Sequence, residues 1–131
     1  MTKVKTRVIL IEDNALIRTF LKNQIERLDY EVVAEATSGL AALDAINNVP
    51  ADLILLDLSL PEISGLQILG ESKKIRQTKV LIITMHTEHH IIQEALDAGA
   101  DGICVKDRFH LDLESAMLET INGNRPVYLD A

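Results

Sequence analysis

Five short apolar runs punctuate this chain, and each is followed by a stretch in which apolar residues recur every three or four positions. Residues 8–11 form the first run, and the polar break Glu12-Asp13-Asn14 follows it. Ile17, Phe20, Leu21, Ile25 and Leu28 then recur at helical spacing, with Arg18, Lys22 and Glu26 between them. Residues 30–36 alternate more, as suits a partly exposed edge strand. Thr37-Ser38-Gly39 opens a second helix with Leu40, Leu43 and Ile46 on one face, and Asn47-Asn48-Val49-Pro50 ends it. Residues 53–56 are uniformly apolar, too short a run for a helix, and stop at Asp57 before a Pro/Ser/Gly loop. A third helix starts at Gly65 with Leu66, Leu69 and Ile75 inward. The fourth run, 80–83, ends at Thr84, and its helix carries Ile91, Ile92, Ala95 and Leu96 and stops at Gly99. Residues 103–105 end at Lys106. The last helix spans about 111–121, with Leu113, Ala116, Met117 and Ile121 inward and Asn122-Gly123-Asn124 after it.

Strand and helix thus alternate five times. Short apolar strands separated by amphipathic helices predict an α/β fold, a parallel sheet with helices on both faces. There is no internal repeat and no domain boundary before residue 124. The tail, 125–131, reads as the start of a linker.

Composition narrows the function. At 131 residues the chain is one domain, large enough for a real core. No apolar run approaches the roughly 20 residues that a membrane span needs. The basic N-terminus precedes only a four-residue apolar stretch, so it is not a signal peptide. Cys104 is the one cysteine, which excludes a disulfide framework and makes a reducing cytoplasm the expected compartment. A formal net charge of −7 argues against direct contact with nucleic acid, which needs a basic surface.

The polar residues that end the strands carry the chemistry. In a parallel sheet all strand ends point the same way, and ligands bind at the carboxyl edge. Glu12 and Asp13 arrive from the first strand, Asp57 from the third, Thr84 from the fourth and Lys106 from the fifth. Each alone has a plain structural reading: a charge pair at a helix N-terminus, a helix cap, a solvated lysine. Together they converge as a site does. Three carboxylates in proximity repel unless a cation intervenes. Hard oxygen ligands with an open side suit Mg²⁺. Asp57 is then placed to attack a phosphoryl donor and form an acyl phosphate. Lys106 would neutralise charge on the transferring group, and the Thr84 hydroxyl would donate to one of its oxygens.

Glu12-Asp13, the segment Asp57-x-x-x-Pro61-x-x-x-Gly65, Thr84, and Ala98-Gly99-Ala100-Asp101-Gly102 leading to Lys106 resemble the receiver domain of bacterial two-component response regulators. The resemblance runs from Val8 to about Ile121. It implies a flavodoxin-like (βα)₅ fold with strand order 2-1-3-4-5 and Asp57 as phosphoacceptor. It further implies Mg²⁺ (or Mn²⁺) held by Asp13, Asp57 and the Ser59 backbone carbonyl, with Glu12 helping through water. A sensor histidine kinase would donate the phosphoryl group, and the protein would not be an enzyme in the ordinary sense. Lys106-Asp107 and the segment Gly123-Asn124-Arg125-Pro126-Val127-Tyr128-Leu129-Asp130 are similar to the NarL/FixJ subfamily. That implies a receiver over 1–124, a linker over 125–131 and a helix-turn-helix domain beyond, through which alone the regulator would touch DNA. Helices one, four and five would offer the surfaces for kinase contact or for a homodimer on activation.

The pattern also departs from the family. Ile103 stands where a Tyr or Phe switch residue is usual. Asp107 replaces the proline that often follows the lysine, and since a cis non-proline bond costs about 3 kcal/mol a trans bond is expected. Ser59 and His86 occupy positions that in the family flank the route of the hydrolytic water. His86, His89 and His90 beside Glu88 read as exposed histidines at a helix start rather than a metal site. Cys104 reads as a small buried hydrophobe. Other readings differ at identifiable residues. An aspartate-nucleophile phosphatase of the haloacid-dehalogenase type needs a second Asp where Ser59 stands. A flavodoxin-like cofactor binder needs a phosphate loop where Glu12-Asp13 would repel it. A stand-alone phosphorelay receiver would lack the output domain.

Overall fold

The structure is a computed structural model that describes residues 4–61, 63–85 and 88–129. Its strands are β1 (Arg7–Ile11), β2 (Glu31–Ala36), β3 (Leu53–Asp57), β4 (Lys79–Thr84), β5 (Gly102–Val105) and β6 (Val127–Tyr128). The helices are α1 (Ala15–Arg27), α2 (Gly39–Asn48), α3 (Gly65–Ile75), α4 (His89–Asp97) and α5 (Phe109–Ile121). All strand pairs are parallel, in the order β2-β1-β3-β4-β5-β6. The expected order is therefore present, with one strand added at its end.

The inner strands β1, β3, β4 and β5 carry apolar runs because both sheet faces are covered there, whereas the edge strand β2 exposes Glu31 and Glu35. Ile9, Ile11, Ile54, Leu56, Val80, Ile82 and Ile103 share a layer with Ala42 and Ile46 of α2, Ile68 and Leu69 of α3, and Ile92 and Ala95 of α4. The alternate residues Val8, Leu10, Leu53, Leu55, Leu81, Ile83 and Cys104 pack on Leu21 and Ile25 of α1 and Leu113, Ala116 and Met117 of α5. At about 25 cal/mol per Å² of apolar surface removed from water, these two layers supply most of the stabilisation of the fold. Burial pushes the Cys104 thiol up to about 12, so it behaves as the hydrophobe its sequence context suggests.

Helix starts follow local chemistry. The Asn14 side chain accepts from the amides of Leu16 and Ile17, both at 3.0 Å, and so caps α1. Ser38 and Ser64 cap α2 and α3 in the same way. α4 stops at Gly99, whose φ of +106° only glycine adopts without strain.

Three elements differ from the sequence reading. Phe20 is 41% exposed, because α1 turns Leu21 and Ile25 to the sheet and leaves Leu16 and Phe20 on its outer side. α5 begins at Phe109 rather than near residue 111, since a 3-10 turn over Lys106–Arg108 leads into it and Phe109 is itself buried. Within the segment read as the start of a linker, Val127 and Tyr128 pair with β5, and residues 130 and 131 lie outside the described residues. The Ile103 amide donates to Pro126 O at 2.9 Å, and the Arg125 guanidinium donates to Leu96 O and Ala100 O at the end of α4. The Tyr128 hydroxyl donates to Glu119 of α5 at 2.7 Å. Among the described residues no peptide bond is cis, that before Asp107 included.

Candidate functional site at the carboxyl edge of the sheet

Strand register brings the polar strand ends together. Ile11 lies opposite Leu56, so the next residues, Glu12 and Asp57, are neighbours across β1 and β3. Asp57 pairs with Ile83, and Thr84 with Val105, which sets Thr84 and Lys106 beside it on the other side. Glu12, Asp57 and Thr84 are at most 1% exposed, whereas Asp13 and Ser59 lie on the open side.

Lys106 Nζ lies 2.7 Å from Glu12 Oε1 and 3.1 Å from Asp57 Oδ2. The remaining oxygens bind amides: Asn14 N–H donates to Glu12 Oε2 at 3.2 Å, and Ser59 N–H donates to Asp57 Oδ1 at 2.9 Å. One oxygen from each of Glu12, Asp13 and Asp57 lies within 4.8 Å of the others, which among the described residues is the group suited to hold a metal ion. His89 and His90 sit exposed at the start of α4, as expected, while His86 lies outside the described residues.

The charges do not balance. Three carboxylates face one ammonium, and Glu12 Oε1 and Asp57 Oδ2 have no hydrogen-bond partner beyond that ammonium among the described residues. Burial, together with the neighbouring Asp57 and against the opposing pull of Lys106, raises the Glu12 carboxyl to about 7. Burial acts to lower the Lys106 pKa, but its hydrogen bond to Glu12 and the charge of Asp57 outweigh it and hold the ammonium above its usual value. Two buried carboxylate oxygens served by one ammonium, together with an exposed third carboxylate within 4.8 Å, suit a hard divalent cation. The residues present therefore fit such an ion.

Gly65 explains the spacing after Asp57. A Cβ there would stand 2.4 Å from Leu58 Cα and 2.8 Å from Asp57 O, so the start of α3 approaches the strand end too closely for any side chain. Two features near the site escape sequence reasoning. Arg18, in sequence only a polar residue between the apolar positions of α1, donates from Nη1 to Glu12 O at 3.1 Å. An apolar groove of about 480 Å³ lies between α1 and α5, lined by Leu16, Ile17, Phe20, Met85 and Phe109 and reaching Lys106. Its only sequence signal is apolar residues left over on the outer side of α1.

Comparison with known proteins agrees with this arrangement. Residues 8–117 match the response regulator receiver domain family. The chain is 34% identical over 119 residues to the transcriptional regulatory protein YdfI of Bacillus subtilis, covering 90% of this chain and 56% of that protein. It is 32% identical over 101 residues to the chemotaxis protein CheY of Thermotoga maritima, covering 76% of this chain and 84% of that one. A LuxR-family two-component response regulator from Aurantimonas sp. SI85-9A1 superposes with a TM-score of 0.89 at 28% identity, over 94% of this chain and 89% of that one. The chain thus spans a little over half the length of YdfI. On its sequence, its fold and the groups gathered at its sheet edge, this chain belongs to the response regulator receiver domain family.

Proposed function

We propose that this domain accepts a phosphoryl group on Asp57 from the phosphohistidine of a sensor kinase and passes the change to an attached transcription-regulator domain. The observation that carries the proposal is the Lys106 ammonium held between the buried carboxylates of Glu12 and Asp57 at the sheet edge. Asp13, Asp57 and the Ser59 carbonyl would hold Mg²⁺ or Mn²⁺, with Glu12 behind them through water. The bound ion would offset the carboxylate charge and polarise the phosphoryl oxygens.

In the transfer a carboxylate oxygen of Asp57 forms a bond to phosphorus while the bond from phosphorus to the donor's imidazole nitrogen breaks, and the electron pair of that bond leaves with the imidazole. Asp57 needs no general base, because a carboxylate carries no proton to remove. Lys106 neutralises charge on the transferring group, and Thr84 donates its hydroxyl to a phosphoryl oxygen. The groove between α1 and α5 reaches Lys106, so a kinase helix seated there would bring its histidine to Asp57. The domain is acidic and would meet DNA only through the attached domain. No described helix is long and apolar enough to cross a membrane, and on this reading the protein works in the cytoplasm beside its kinase's catalytic part.

Acetyl phosphate supplied with Mg²⁺ tests the reading. One acid-stable, hydroxylamine-labile phosphoryl group per chain is expected, with none in Asp57→Asn. Labelling that persists in that variant overturns the assignment.

A further inference from the structure

We infer that Arg18 is a positioning residue for the cation site, acting through the backbone that carries Glu12 and Asp13. β1 makes its last ladder bond at Glu12 N, which donates to Ala36 O at 3.0 Å, and the first bond of α1 starts only at Asn14 O. Between these lie the two carbonyls of the turn. Arg18 Nη1 reaches both, donating to Glu12 O at 3.1 Å and to Asp13 O at 3.4 Å. The other side of the guanidinium faces β2, where Arg18 Nε lies 3.7 Å from Glu35 Oε1. Lys22 Nζ, one turn further along α1, lies 3.4 Å from Glu35 Oε2 and holds that carboxylate from its opposite side. The planar fork therefore ties the turn between β1 and α1 to the neighbouring strand, with a side chain only 22% exposed.

The consequence falls on the carboxylates. Glu12 and Asp13 leave this turn in different directions, one into the buried ion pair and one to the open side. A turn free to rotate would carry both away from Asp57 together. Groups that hold metal ligands from behind commonly govern affinity by 10- to 100-fold, which sets a scale of roughly tenfold for Arg18. Lysine cannot take its place, because its one nitrogen would have to serve the two carbonyls and Glu35 together, which Arg18 meets with two different nitrogens.

Charge and position predict opposite signs. Arg18 is itself a cation near the site, so as a charge alone it opposes binding of a second cation. If charge were its role, Arg18→Gln would bind Mg²⁺ more tightly and Arg18→Lys would bind as the unmodified protein does. If it positions the turn, both variants bind more weakly, by roughly tenfold on the scale above.

The inference rests on the proposed Mg²⁺ site, and calorimetric titration of the full chain with Mg²⁺ separates the two. Absence of Mg²⁺ binding by the unmodified protein overturns the metal reading. Binding by the unmodified protein, with Arg18→Lys and Arg18→Gln binding equally well or better, overturns the role of Arg18 alone. Glu35→Gln keeps Arg18 but removes its anchor, and it should weaken binding by a smaller factor without disturbing the core. With acetyl phosphate, the Mg²⁺ concentration giving half-maximal labelling should rise in Arg18→Lys by the same factor as the dissociation constant. The rate at saturating Mg²⁺ should be retained. A drop in that saturated rate with an unchanged dissociation constant overturns the inference.

Discussion

Without divalent cations, Glu12→Gln should stabilise the protein at pH 8 and lose most of that advantage at pH 5. Glu12 is fully buried, and burial with the adjacent Asp57 raises its carboxyl from 4.5 to about 7. Between these values the folded protein holds a proton that the unfolded chain has released. Stability therefore falls as pH rises through that window and is lowest above it. A tenfold difference in proton affinity between the folded and unfolded chains is worth about 1.4 kcal/mol, so the change in the Glu12 contribution between pH 5 and 8 is roughly 2–3 kcal/mol. Gln keeps the shape and carries no charge at either pH, and Lys106 retains Asp57 at 3.1 Å. Urea unfolding with chelator, at both pH values, measures the effect. At about 2 kcal/mol per molar urea, the midpoint of the variant relative to the unmodified protein should move by roughly 1–1.5 M between the two conditions. Comparing the two proteins at each pH cancels the titration of all other groups. Equal pH dependence of the two proteins would refute the reasoning that Glu12 is held ionised at a cost. Mg²⁺ added at pH 8 should close the gap from the other side, by stabilising the unmodified protein more than the variant.

Lys106→Met leaves Glu12 and Asp57 buried without their cation, and a loss of about 3–5 kcal/mol is expected at pH 8, smaller at pH 5 where Glu12 takes a proton; equal loss at both, by urea unfolding, would contradict this. Gly65→Ala pushes a methyl group into Leu58 and the Asp57 carbonyl, so it should cost about 1–3 kcal/mol in urea unfolding and slow labelling by acetyl phosphate. Arg125→Ala removes the guanidinium bonds to Leu96 O and Ala100 O from a residue whose φ is +51°. By the roughly 1.5–3 kcal/mol of a charged hydrogen bond, amide exchange at Ile103, which donates to Pro126 O, should rise at least tenfold.

What can be read from the sequence, and what cannot, divides along physical lines. The core strands are legible because burial on both faces demands uninterrupted apolar runs, as in Leu53 to Leu56. The site is legible because parallel strands end on one edge, so Glu12, Asp57, Thr84 and Lys106 need no pairing information to be gathered there. Phe20 is misplaced by the pattern because helical spacing gives a face but not its angle, and two apolar neighbours, Phe20 and Leu21, cannot both point inward. β6 escapes because a two-residue strand has no periodicity, and Pro126 and Gly123 read as loop. Arg18 escapes for a different reason. Its partners are backbone carbonyls, and a carbonyl leaves no mark in the order of side chains.

Ile103 shows where residue identity carries more than position. Its side chain is fully buried, packed in the layer that α2, α3 and α4 share with the sheet. An aromatic ring with a polar tip at that position could be stable both inward and outward. An isoleucine turned to solvent forfeits about 1.5–3 kcal/mol of burial and leaves a void behind it. Side-chain rotation at residue 103 is therefore a poor lever in this chain. Its backbone is better connected, because Ile82, Ile103 and Val127 are consecutive rungs of the sheet. The Ile103 amide is bonded to the carbonyl of Pro126, and Arg125 fastens the same segment to the end of α4. A displacement of β4 or α4 would therefore be felt at residues 125–128 through hydrogen bonds, without turning Ile103 out of the core.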